Sequence, residues 1–249
     1  MKQKILLLIT LGLLATNCSF GQTRRTLEND IKIAGNTSTK TAPRKQILLT
    51  NAAQFKGNRT LEGASGFLIK YNNSNYAVTA RHVLGEAGGV EPEVNVNALA
   101  KNLISWEMSP RVVMNADAET VKLNATGLNY SKSFHDILLL NVASGAFDLE
   151  VLTPNFNLPA AGETLYLIGC PYDETQCRQN SYAVKYVEYD AAEATLVCEM
   201  TANVEMSGFS GAPLINAKGE VVGVLVSGGE SGGKNFVMAT HIKEIQKIK

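Results

Sequence analysis

From Gly63 onward the chain divides into short apolar runs of strand length, each closed by a cluster of turn residues, and this punctuation constrains the fold more than any other feature. The stretch "GASGFLIKYNNSNYAVT" sets two such runs on either side of Asn72-Asn73-Ser74-Asn75 and reads as a β-hairpin. Further runs follow at Arg111–Asn115, Ile137–Val142, Thr164–Gly169, Ser181–Tyr189, Thr195–Met200, Ala212–Ile215, Glu220–Ser227 and Phe236–Ala239. Many short strands joined by turns predict an all-β antiparallel sandwich or barrel. The composition softens from Thr153-Pro154 to Gly162, which divides the strands into a half over 57–153 and a half over 154–249. Each half is long enough for a six-stranded barrel with a filled interior. In "THIKEIQKIK" Ile242, Ile245 and Ile248 recur every third residue and predict a short C-terminal α-helix. The span 86–110, with Gly88-Gly89, Pro92 and the single Trp106, reads as a long loop or a loop with a short helix.

Lys2 and Lys4 precede an apolar run from Ile5 to Ala15, and Ser19-Phe20-Gly21 follows with small residues where a signal peptidase reads. Residues 1–21 are therefore expected to be a secretory signal, too short for a membrane span, which makes the protein secreted or periplasmic. A lipid anchor at Cys18 is the minority reading, since Asn17 fits poorly before it. Residues 22–56 are polar and mixed and read as an N-terminal extension or pro-segment. Export places the remaining cysteines, Cys170, Cys177 and Cys198, where disulfides form. Three thiols allow one internal bridge at most, and Cys170–Cys177 is favoured because it closes a short loop. Lys plus Arg equal Asp plus Glu at 23 each, with no basic stripe, so nucleic acid is a poor partner. His82, His135 and His241 are scattered, and no Cys-x-x-Cys pair or phosphate loop occurs. No metal and no cofactor are expected.

Three polar residues stand out against this β background. His82 lies in "AVTARHVLG", at the turn after a strand ending at Thr79. Asp136 lies in "SFHDILLLNV", directly before four apolar residues. If that strand is buried, the carboxylate sits at the mouth of a core and needs a partner, because an unpaired buried charge is expensive. Ser210 lies in "MSGFSGAPLIN", a Gly-rich turn between strand-like runs. Each alone has a plain structural reading: a packed histidine, an edge carboxylate, a turn serine. Together, in the chain order His, Asp, Ser, they match one of the orders in which a base, its orienter and a nucleophile converge. A serine hydroxyl needs a base within hydrogen-bond reach before it can attack. His82 would take that proton and return it to the leaving amine, while Asp136 would accept from the other ring nitrogen and fix the tautomer. The backbone N–H groups of Gly208 and Ser210 would form the oxyanion hole.

These motifs resemble those of the chymotrypsin/trypsin-like serine endopeptidase superfamily, above all its compact bacterial branch of glutamyl endopeptidases and HtrA-type catalytic domains. "AVTARHV" is similar to the family's strand and Thr-Ala-x-His signature, "HDILLL" to Asp-Ile-Ala-Leu-Leu, and "GFSGAP" to Gly-Asp-Ser-Gly-Gly-Pro. "LYLIGCP" resembles the strand that opens the second barrel, and "GEVVGVLVSGG" the strand after the nucleophile. The resemblance implies two six-stranded antiparallel β-barrels of chymotrypsin-like form, with 57–249 together one peptidase domain. It implies a secreted serine endopeptidase that hydrolyses polypeptides through His82, Asp136 and Ser210 and an acyl-enzyme intermediate. It also implies a substrate strand added along Val226-Ser227-Gly228 and a side-chain pocket among Val204, Glu205, Val226, Ser227 and Gly228.

The departures from the family pattern carry information. Val204 stands where Lys- or Arg-selective members place an Asp, although Glu205 lies one residue on. Leu225 lies on the strand where the glutamyl-selective branch offers a His, so a small or apolar preference is expected. Phe209 replaces the Asp that precedes the nucleophile, which argues against activation by a freed N-terminal amine. An exposed aromatic there would suit an alternative, a non-catalytic protein-binding module on the same fold.

Overall fold

Strands carry most of the regular structure of the computed structural model, which describes residues 45–123, 129–130 (backbone only), 135–143 and 145–248. The expected signal over 1–21, Cys18, and residues 22–44 lie outside the described residues. Among the described residues fourteen strands run in chain order: β1 Leu49–Phe55, β2 Arg59–Tyr71, β3 Ser74–Thr79, β4 Leu103–Ser109, β5 Val121–Lys122, β6 Asn129–Tyr130, β7 Leu138–Asn141, β8 Val151–Leu152, β9 Thr164–Gly169, β10 Asn180–Asp190, β11 Thr195–Met200, β12 Pro213–Ile215, β13 Val221–Ser231 and β14 Lys234–His241. The predicted hairpin is β2–β3, in register from Phe67↔Val78 to Tyr71↔Ser74. Its two turn residues, Asn72 and Asn73, take φ values of 48° and 62°. That left-handed pair matches the twist of the flanking strands, and Asn tolerates it better than most residues.

The second half is a closed six-stranded barrel in the order β10-β11-β14-β13-β12-β9. The first half is not. It is an eight-stranded sheet in the order β5-β4-β1-β2-β3-β7-β6, with β8 pairing parallel to β2. The strands β5, β6 and β8 have two residues each, too short to complete a ladder. Outside the named strands, Leu123 and Val142 form a single bridge between the β5 and β7 ends of the sheet. The two expected antiparallel barrels are thus present, the second closed and the first as a half-barrel.

Four finer expectations change. The stretch 45–56, read as part of an extension, carries β1, which lies between β4 and β2 with Leu49, Ala53 and Phe55 buried. The span 86–110 contains a strand, β4, whose Trp106 and Met108 enter the core. Arg111–Asn115 forms no strand: Met114 and Asn115 give their N–H groups to Glu119 Oε2 at 2.7 and 3.1 Å, and Met114 is 70 % exposed. The terminal helix over Ile242–Lys247 is 3₁₀ rather than α. A three-residue period is the eclipsing repeat of the tighter helix, so Ile242 and Ile245 land on one buried face.

The apolar runs of β2, β3 and β7 lack polar alternation because both of their faces are buried. Leu68, Ala77, Leu138 and Leu140 point into the core of the first half, with Phe55, Trp106 and Met108. Their neighbours Phe67, Ile69, Val78 and Leu139 point the other way, into a cluster shared with Leu167, Phe209, Leu214 and Leu225 of the barrel. The period-2 geometry of a strand splits each run between the two cores. No helix among the described residues is long and apolar enough to cross a membrane.

Candidate active site

The three singled-out residues meet where the half-barrel abuts the barrel. β3 ends at Thr79, and the chain turns into a short 3₁₀ helix, Arg81–Leu84, that carries His82. Asp136 lies two residues before β7, which pairs with β3 through Thr79↔Leu138, so the two side chains arise from adjacent strand ends. Asp136 accepts the His82 backbone N–H at 2.8 Å on Oδ1 and the ring Nδ1–H on Oδ2. With the Nδ1 proton committed to the carboxylate, Nε2 offers a lone pair. Ser210 Oγ–H donates to it at 2.8 Å. His82 and Asp136 are about a quarter exposed, at 26 % and 25 % of their side-chain surface. Burial works to raise the Asp136 carboxyl, but the His82 ring and the backbone amides of His82 and Arg81 outweigh it and hold it below its ordinary value. The other two histidines stand apart. His135 Nε2 lies 3.2 Å from the buried carboxylate of Glu244, and His241 is buried at the end of β14.

Ser210 sits in a turn shaped by its neighbours. Gly211 adopts φ +88°, and a Cβ there would fall 2.1 Å from the Ser65 carbonyl oxygen and 2.4 Å from Thr79 Oγ1. Only glycine lets the turn approach the half-barrel so closely. Gly208 adopts φ +91°, with the Tyr172 ring against its α-carbon. Phe209, between them, is fully buried and packs against Tyr182 with the rings tilted, at a centroid distance of 5.7 Å. The exposed aromatic that would favour a binding module is therefore absent.

Beside the turn lies a pocket of about 190 Å³ walled by Met200, Val204, Met206, Gly228 and Phe236, with the exposed Glu230 also on its lining. Of the residues expected there, Val204 and Gly228 line it, whereas Glu205, Val226 and Ser227 do not. The Glu205 carboxylate folds back on its own loop and accepts from the Ser207 amide at 3.0 Å and from its hydroxyl. Val226 packs toward the half-barrel core, and Ser227 is exposed opposite Met238. Cys170 and Cys177 form a disulfide; burial leaves Cys198 a free thiol pushed up to about 12. Among the described residues no group of His, Cys, Asp and Glu could hold a metal ion.

Sequence reasoning missed Ser65, Tyr172, Met200, Met206 and Phe236. Ser65 precedes the apolar run of β2, and Tyr172 sits within the disulfide loop. Neither position carries a pattern that marks it out from an ordinary Ser or Tyr.

Residues 64–224 match the trypsin-like peptidase domain family, a span that includes His82, Asp136 and Ser210. No curated protein matches. The fold is similar to that of several solved structures. A Glu endopeptidase in complex with MPD has a TM-score of 0.55 at 15% identity, covering 85% of this chain and 92% of that one. A thermostable serine protease from an extremophilic microorganism has a TM-score of 0.58 at 14% identity, covering 83% and 96%. The active form of the Rv3671c protease of M. tuberculosis has a TM-score of 0.53 at 15% identity, covering 82% and 80%.

Proposed function

The chain belongs to the trypsin-like peptidase family, a membership that makes it a serine endopeptidase, and from that premise we propose that it is exported and cleaves polypeptides through His82, Asp136 and Ser210. The observation that carries the residue assignment is the 2.8 Å contact from Ser210 Oγ to a His82 ring whose other nitrogen is committed to Asp136. Ser210 Oγ attacks the scissile carbonyl carbon as its proton passes to His82 Nε2. The imidazolium stays paired with Asp136. The amide groups of Gly208 and Ser210 stabilise the oxyanion. His82 then protonates the leaving amine, an acyl-enzyme ester remains on Ser210, and water repeats the sequence to release the acid.

The pocket beside the turn receives the side chain before the scissile bond. Two methionines, a valine and a phenylalanine wall it, with Asn235 and Glu230 also on its lining, and the four apolar side chains support an apolar preference. Export is supported by the Cys170–Cys177 disulfide, a bond that persists in oxidising compartments, and by the charged-then-apolar pattern at Lys2 to Ala15. Labelling with a fluorophosphonate probe tests the mechanism: wild-type protein should label and Ser210→Ala should not, with unchanged thermal unfolding. A folded wild-type protein that stays unlabelled would refute it. N-terminal sequencing of protein recovered from the culture medium or periplasm tests the export.

A further inference from the structure

We propose that Ser65 and Tyr172 are positioning residues that hold Gly208 in the conformation an oxyanion-stabilising amide requires. The proposal rests on the reading of Ser210 as nucleophile and of the Gly208 N–H as a donor to the oxyanion.

Ser65 belongs to β2 of the half-barrel and is 4 % exposed. Its amide donates to the Ser210 carbonyl at 2.7 Å. Its hydroxyl donates to the Gly208 carbonyl at 2.6 Å. Those bonds fix the peptide planes that follow Gly208 and Ser210. A glycine at φ +91° has no side chain to restrict it, so its orientation must come from its neighbours. Ser65 is itself anchored. Its carbonyl accepts from Thr79 Oγ1 at 2.7 Å and from Asn51 Nδ2 at 3.1 Å, and Asn51 Oδ1 accepts from Trp106 Nε1–H at 3.1 Å. A buried chain of bonds thus runs from Trp106 in the half-barrel core to the nucleophile turn, and satisfied networks of this kind rigidify what they hold.

Tyr172 reaches Gly208 from the loop closed by Cys170–Cys177. A Cβ on Gly208 would lie 2.7 Å from its Cε1 and 2.8 Å from its Cδ1. Its hydroxyl accepts the Ala64 N–H at 2.6 Å, one residue before Ser65. The Arg111 guanidinium lies 5.3 Å from the ring centroid and donates to the carbonyls of Cys170 and Pro171. Tyr172 is 46 % exposed, yet its hydroxyl, its ring and the loop beneath it are all engaged.

The test compares Ser65→Ala, Ser65→Thr, Tyr172→Ala, Tyr172→Phe and Ser210→Ala in the full chain, measuring kcat and KM on a chromogenic peptide ester and the inhibition constant of a peptide boronate. Deleting an oxyanion donor outright costs about 10²–10³-fold in kcat, so Ser65→Ala should cost about ten- to a hundredfold with KM nearly unchanged. Boronate affinity should fall by a similar factor, and Ser65→Thr, which keeps the hydroxyl, should recover much of the loss. Tyr172→Phe, which deletes only the hydroxyl that accepts the Ala64 N–H and is not expected to unfold the protein, should lower kcat by about threefold or more. Folded Ser65→Ala and Tyr172→Ala proteins with wild-type kcat, or a loss confined to KM, would overturn the positioning role while leaving an inactive Ser210→Ala in place. Turnover that survives in Ser210→Ala would overturn the nucleophile assignment, and this proposal with it.

Discussion

Acid should destabilise the fold through one histidine that plays no part in the site. His241 ends β14, is fully buried, and meets Tyr189 edge-on at 5.9 Å. Its Nδ1 accepts the Lys243 N–H at 3.0 Å, and its Nε2–H faces the Asn157 carbonyl at 3.4 Å. That pattern needs the neutral ring, because protonation turns Nδ1 into a donor facing another donor. Burial is the main cause that pulls His241 from its ordinary 6.5 down to about 4; Lys243 adds to it, while Glu244 and the Asn157 carbonyl oppose it. Below pH 6.5 the unfolded chain binds a proton here that the native state refuses, so stability falls as the pH falls, until the native ring also titrates near 4. At about 1.4 kcal/mol per unit, the full effect is about 3 kcal/mol, a large share of a typical stability of about 5–15 kcal/mol.

Urea unfolding of wild type and His241→Asn, at about pH 7 and about pH 4.5, isolates the term because other titrating groups cancel in the difference. Asn Oδ1 can still accept the Lys243 N–H. Wild type should lose about 2–3 kcal/mol more than the variant between the two pH values. Equal losses, within about 0.5 kcal/mol, would refute the reasoning that burial keeps this ring neutral.

Other expectations follow from the same geometry. Asp136→Asn should lower kcat by about 10⁴-fold, because the amide no longer selects the tautomer that leaves Nε2 free; steady-state kinetics on a peptide substrate will show it. Gly211→Ala forces a side chain into the Ser65 carbonyl at a φ of +88° and should destabilise the fold by about 2 kcal/mol or more, as read from the urea midpoint. Native Cys198, buried and with its thiol pushed up to about 12, should resist iodoacetamide at neutral pH and react at once after unfolding, as followed by mass spectrometry.

How much of this was legible in the sequence depends on whether each residue's role left a period. The β2–β3 hairpin announced itself through Asn72-Asn73, and β9 to β14 through apolar runs bounded by turns. The three chemical residues stood at strand ends beside recognisable motifs. β1 was hidden for a physical reason. Its buried face reads Leu49, Asn51, Ala53, Phe55, a period of two interrupted by a polar residue. Asn51 is buried because its amide ties Ser65 and Trp106 together. The strand was obscured by the residue that links it to the Ser210 turn, a local inconsistency of the kind expected where another role overrides patterning. Ser65 and Tyr172 left no trace because hydrogen bonds across more than a hundred positions have no sequence period. Val112-Val113-Met114 misled in the opposite sense. Those apolar residues read as a strand, but the amides of Met114 and Asn115 go to Glu119 rather than to a ladder.

Phe209 explains how the turn is held without the carboxylate that the family resemblance leads one to expect. A buried Asp would require a paired cation, since its desolvation cost exceeds what an unpaired charge recovers. The aromatic ring needs none. It fills a space where Gly169 has no room even for a Cβ, 2.1 Å from the ring, and full burial of such a side chain contributes about 1.5–3 kcal/mol. The same turn is tied on its other flank to the half-barrel, through Ser65, and within the barrel by the Gly211 N–H on the Leu225 carbonyl at 2.8 Å. Apolar packing and hydrogen bonds from both halves therefore hold the turn, and neither depends on a new chain terminus or on a titrating group. Phe209 lies in the cluster that both halves share, so the geometry of the turn rests on contacts at their interface.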